Sequence, residues 1–215
     1  MHGNCSARSP SKETACIPYL IHYVFCMVTI ASEWPASTAF DHEKAVQVAA
    51  FFIRKSGGEI DKLKLVKLSY LADRLSFEKR SAPINFDDFF SLPHGPVPSS
   101  MLNGLDKKFD GPWEVIAVNG IKISLLNEVE TDRLSQNDLA ILDEIWNKFG
   151  LMSTWTLRNW THKNLAEYEN VTSGRASIGY DEILEALGNE DASVIARDLR
   201  KLQRDIGRLP PPNAS

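Results

Sequence analysis

KLKLVKLSYLADRLSFEKR, residues 62–80, is the stretch whose reading decides the fold. Leu63, Val66, Tyr70 and Phe77 recur at helical spacing, and Leu68, Leu71 and Leu75 make a second apolar stripe on the same cylinder. A helix that is apolar over so much of its circumference must be enclosed by neighbours. The spacing predicts a buried helix from about Asp61 to Glu78, with Pro83 closing the segment. A chain organised around such a helix is mainly α.

The flanking sequence supplies the neighbours. Upstream, Asp41 is a predicted N-cap with Glu43 in the first turn, where an acid suits the helix dipole. Ala45, Val48, Ala49 and Phe52 then form one apolar face, and Gly57-Gly58 end the helix. Without a following GK[ST], those glycines are no phosphate loop. Downstream, residues 85–92 read as a short strand or a loop, Pro96 and Pro98 break the chain, and Ser99 or Ser100 starts a helix towards Leu105. Residues 113–118 and 121–126 are β-prone runs about Asn119-Gly120, a pair suited to a type I′ hairpin turn. Ser135 with Asp138 resembles a capping box before Leu139, Leu142, Trp146 and Phe149, and Gly150 stops that helix. Ser153 caps a shorter helix carrying Trp155, Leu157 and Trp160. Residues 180–187 and 192–206 complete the set, the last with an apolar stripe of Ile195, Leu199, Leu202 and Ile206. The expected fold is a helical domain of about six helices over residues 41–208, with a small β-hairpin packed on it.

With 215 residues, 43% hydrophobic and 24% charged, the chain can bury a core without disulfides or a metal. Its formal net charge of −4 argues against a dedicated nucleic-acid binder. Cys5, Cys16 and Cys26 all precede the predicted domain, so no disulfide framework is expected within it and a reducing, cytoplasmic setting is the default. Residues 17–31, IPYLIHYVFCMVTIA, are uncharged but short for a membrane span and diluted by Pro18, His22 and two tyrosines for a secretory signal. Residues 1–40 are expected to be an N-terminal extension, with Met27 as the true start. A targeting segment or a packed part of the fold are the alternatives. Residues 209–215 read as a stiff Pro-rich tail.

Chemistry is sparse. No two of His2, His22, His42, His94 and His162 are spaced i, i+4, though His94 and His162 could converge in space as a metal pair. There is no GxSxG elbow, and the predicted domain has no cysteine nucleophile. The adjacent carboxylates Asp87-Asp88 and Asp143-Glu144 point to opposite or divergent faces and are expected at a solvated surface. Arg197, Lys201, Arg204 and Arg208 line the last helix opposite its apolar stripe, an expected solvated face that could instead meet an acidic partner. Lys62, Lys64 and Lys67 share no single face and receive the same discount.

Three segments taken in order carry a resemblance: residues 62–80, LPHGPVPSSMLNGL at 92–105, and LDEIWNKFGLMSTWTLRNWTH at 142–162. They resemble the Panacea domain family, which includes SocA-like antitoxins and phage-associated proteins, over roughly residues 41–190. The resemblance implies a non-enzymatic antitoxin of a toxin-antitoxin system, without a cofactor, that binds and neutralises a toxin encoded beside it. The alternatives are a proteolytic adaptor for a ClpXP-type protease and a metal-dependent hydrolase using His94 and His162. The positions carried over are Lys64, Lys67, Leu68, Tyr70 and Asp73, then His94, Gly95, Pro96 and Val97, then Leu157, Thr161 and His162. A Pro-Trp common in the family after the TH pair is missing, and Tyr168 is expected to take the aromatic place. HGPV also has a plain structural reading as a tight loop entering a helix, with Gly95 free to adopt positive φ and Pro96 stiffening it.

Overall fold

A computed structural model describes residues 39–208. The expected extension up to residue 38, the Met27 start, the three cysteines, the apolar run at 17–31 and the tail at 209–215 lie outside the described residues.

Helix α1 (His42–Lys55) starts where Asp41 accepts the amide of Lys44, and it buries Ala45, Val48, Ala49 and Phe52. Gly57 and Gly58 end it at φ +88° and +102°, with the Gly58 amide donating back to Ile53 O. Strand β1 (Glu59–Asp61) leads into α2 (Lys62–Arg80). Both apolar stripes of α2 are covered: Leu63, Val66, Leu68, Tyr70, Leu71 and Phe77 are buried, and Leu75 is partly so. The neighbours are α1, β1, the hairpin strand β3 (Gly95–Pro98) and the helices α3 (Ser99–Leu105), α4 (Gln136–Phe149), α5 (Thr154–Asn164) and α6 (Tyr180–Ala186). Truncating one such buried leucine to alanine costs about 2–5 kcal/mol, which makes α2 the spine of the molecule.

More of the chain is strand than periodicity suggested. One sheet has the order β1-β5-β4, all antiparallel, where β4 is Ile116–Asn119 and β5 is Lys122–Leu125. The expected hairpin is there, but its turn is shifted by one residue. Asn119 pairs with Lys122, so Gly120 and Ile121 are the central residues, and only Gly120 (φ +61°) has positive φ. That suits a type II′ turn, which needs glycine at the first central position, rather than the expected I′. Residues Pro112–Val115 form a 3-10 helix instead of the start of the strand, because Trp113 turns inward. Its ring lies over Gly104 of α3, where a Cβ would sit 2.1 Å away, and its Nε1 donates to His42 Nδ1 at 2.9 Å. Burial holds the His42 pKa below its ordinary value, so the imidazole stays neutral and able to accept that bond.

The second sheet has the order β3-β2-β6, with β2 at Phe89–Leu92 and β6 at Ala176–Ile178. Here the expectation that Pro96 and Pro98 break the chain is corrected. Both lie within β3, an edge strand, opposite Ser91 and Phe89. The Ser99 amide bonds to Asp88 O, so the alternation leaves the two prolines where an N–H would point away from β2. Phe89 then packs between Tyr70, Phe77 and Tyr180, with ring centroids 5.5, 6.3 and 5.9 Å away.

Helix α4 has the expected capping box, with Ser135 accepting from Asp138 N and Asp138 from Ser135 N. Ser153 likewise caps α5. The last helix, α7 (Ala192–Ile206), keeps most of its expected stripe: Ile195 and Leu199 pack against the core and Ile206 is partly buried, whereas Leu202 is 47% exposed. Ala192, Ala196 and Gln203 are its most buried residues. Arg200 stacks on Tyr180 at 3.9 Å and pairs with Asp88.

Candidate functional site

Strands β2 and β3 are joined by Pro93 and His94, and Gly95 follows at φ +97°. A side chain at Gly95 would be strained in that conformation. It would also be crowded, since a Cβ there would lie 3.0 Å from Lys67 Nζ and 3.1 Å from both Cδ2 and Nε2 of His162. Three of the sequence-identified segments therefore meet at one glycine.

Lys67 reaches this point from α2. It is fully buried, and its Nζ donates to Pro96 O at 2.6 Å. Burial, with Arg158 nearby, holds its pKa well below the ordinary lysine value. This corrects the expectation of a solvated lysine. Lys62 and Lys64 are corrected likewise: Lys62 pairs with Asp106, and Lys64 donates to Gly150 O at 2.6 Å across the Trp146 ring.

From α5, Leu157 and Thr161 face the core, and the Thr161 hydroxyl is satisfied by Arg158 O. The next residue, His162, faces the turn. Its ring centroid lies 4.4 Å from that of Tyr168, whose hydroxyl donates to Leu92 O. Tyr168 is thus the aromatic side chain packed on the His162 ring. Burial first, then the Arg158 and Lys67 charges, push the His162 pKa down to about 4, so the ring is neutral at physiological pH. Arg158 was not singled out from the sequence, although it lies within the third quoted segment. Its guanidinium donates to Pro93 O and to Asn159 Oδ1, both at 3.0 Å. Trp155, one turn earlier, meets the His94 ring edge-on at 6.1 Å.

The other carried-over positions do not join this cluster directly. Tyr70 donates to Glu167 Oε1, which also receives Arg74 Nε at 2.7 Å; Glu167 and Arg74 escaped the sequence reading. Leu68 and Val97 are core residues. Asp73 points to the far end of α2, where its Oδ1 accepts the amides of Ile84 and Asn85. Asp87, expected at the surface, is buried there too. It holds the first turn of α3 through the Ser100 and Met101 amides, while Asp88 stays half exposed and pairs with Arg200. Burial raises both Asp73 and Asp87 to about 7. They line a cavity of about 10 Å³, near the size of one water, together with Ser69 and Asn85.

Chemically, the turn cluster offers two histidines, a lysine and an arginine. Among the described residues no group of three or more His, Cys, Asp or Glu side chains is placed to hold a metal ion. Among the same residues no helix is long and apolar enough to cross a membrane.

Residues 65–166 match the family model described as antitoxin SocA-like, Panacea domain. The match is narrower than the 41–190 expected from the sequence and begins one residue after Lys64. It contains α2 from its first turn, the β2–β3 hairpin and all of α5, hence Lys67, His94, Gly95, Arg158 and His162, while Tyr168 falls just beyond it. No curated protein and no solved structure matches the chain.

Proposed function

With a Panacea domain of the SocA-like antitoxin kind at residues 65–166 as the premise, we propose that this protein is the antitoxin of a toxin-antitoxin pair. It acts without catalysis, binding its toxin and covering the toxin's active surface. The observation that carries the reading is the convergence of the family-like segments on Gly95, where a stiff turn, a buried lysine and α5 hold His94 and Trp155 in place. A loop fixed in this way loses little entropy on binding, which favours recognition of a partner. An enzyme built on His94 and His162 would need a third ligand or an acid–base partner beside them. The described residues offer no three-membered metal-ligand cluster to support that reading.

The test is co-expression with the neighbouring open reading frame. Growth rescue at near-equimolar levels together with co-purification is expected. A harmless neighbour, or rescue at strongly sub-stoichiometric levels, overturns binding as the mechanism.

A further inference from the structure

The described surface carries large exposed apolar side chains in three places: Val118 and Leu126 beside the β4–β5 hairpin, Val194 and Leu202 on α7, and Leu151 and Trp155 at the start of α5. In the third, Trp155 meets the rigid turn, its ring edge-on to that of His94. Leu151 is 96% exposed and Trp155 44%, four residues apart across the α4–α5 connection. Exposure of this kind next to a fixed loop is what a binding patch requires.

Charge distinguishes this patch further. From residue 145 to residue 166 there is no Asp or Glu, in a chain whose formal net charge is −4, while Lys148, Arg158 and Lys163 all fall within that stretch. Two flanking carboxylates are engaged within the fold: Glu167 by Tyr70 and Arg74, and Asp61 by Thr154 and Lys122. Arg158 and His162 are each only partly buried and stand at the border between the rigid turn and this face. Arg158 is already held by Pro93 O and Asn159, and it can therefore meet a carboxylate with little loss of freedom.

We infer that the face made by the Pro93-His94 turn and by Leu151, Trp155, Arg158 and His162 is where the toxin docks, and that it receives an acidic, apolar segment of that protein. A carboxylate would lie against the Arg158 guanidinium, and an aliphatic or aromatic side chain against Leu151 and Trp155. This rests on the antitoxin reading and specifies the surface and the chemistry of its partner.

The experiment uses the full chain, with the product of the neighbouring open reading frame as the probe. Arg158→Gln and Trp155→Ala are each expected to weaken binding at least about tenfold, and Arg158→Glu more. Melting temperatures within a degree or two of the wild type would separate this loss from misfolding. Leu202→Ser and Lys201→Glu on α7 serve as controls and are expected to bind like the wild type. Unchanged binding by both α5 variants, or loss confined to the α7 variants, overturns the inference and leaves the antitoxin reading standing. A wild-type protein that binds nothing overturns both.

Discussion

The two ends of α2 treat the chain segment 83–101 in opposite ways. At one end a buried cation, Lys67, takes a backbone carbonyl, that of Pro96. At the other, two buried carboxylates take backbone amides: Asp73 those of Ile84 and Asn85, Asp87 those of Ser100 and Met101. Six residues separate Lys67 and Asp73, yet each is spent on the backbone of the same segment rather than paired with the other. The difference lies in what remains. The carboxylate end closes around a cavity of about one water. The lysine end lies beside the exposed Trp155, whose ring meets that of His94. One end of the clamp closes into the core, and the other borders the exposed face proposed for the partner.

The largest blow to this contrast is Gly95→Val. Positive φ and the contacts with Lys67 and His162 add a backbone strain of about 1–3 kcal/mol to an overpacking cost of similar size. Thermal melts should fall by many degrees and neutralisation should be lost with them; a stable, active variant would show that the turn does not depend on this close approach.

Next in size are the clamps. Asp87→Asn puts an amide group where Asp87 Oδ2 accepts Met101 N, and a loss of about 1–3 kcal/mol is expected in chemical denaturation. Lys67→Met strands Pro96 O but also relieves a buried amine, so its cost should be smaller. If Lys67→Met proves the more damaging of the two, the lysine end is the stronger clamp.

Two pH profiles distinguish the ends more finely. Asp73 titrates at about 7 in the fold against 3.8 when free, so the folded state holds its proton more tightly. Stability from this group is present below about pH 4 and is lost as pH rises towards 7, by at most about 1.4 kcal/mol per pH unit. Asp73→Asn keeps an oxygen for both amides, so the variant should gain on the wild type across that window. His162 runs the other way. Its folded pKa of about 4 lies below the usual 6.5, so its contribution is present above pH 6.5 and lost as pH falls towards 4. His162→Asn should therefore flatten the acid limb of the melting curve, the smallest of these effects because the ring is partly exposed. Parallel profiles for both variants and the wild type would show that neither group is linked to folding.

Much of the architecture could be read directly. Helix caps at Asp41, Ser135 and Ser153, the breaks at Gly57-Gly58 and Gly150, and the all-round apolar α2 are local features, and local spacing suffices to find them. Strands β1, β3 and β6 were missed because three or four residues hold too little pattern to show a period, and two prolines in β3 argued against it. The apolar stripe of α7 was legible except for Leu202: periodicity says which face can be buried, and not how fully each residue of it is covered. At the site, HGPV and the TH pair were legible as segments, whereas Arg158, Arg74 and Glu167 were not. A charged residue on a helix gives no sign of whether it will meet water or a backbone group.

By itself, then, the amino-acid order determined that this protein is a mainly helical domain built on residues 62–80, with a glycine at 95 free to take a positive φ. Only the tertiary structure decided that Lys67, Asp73 and Asp87 are interior groups bound to the backbone, and that Gly95, Lys67, Arg158 and His162 share one place. Helix and turn preferences are set by residues a few positions apart. The burial of a charge depends on which distant backbone groups are left over once the strands and helices have packed, and those partners lie 11 to 65 residues away.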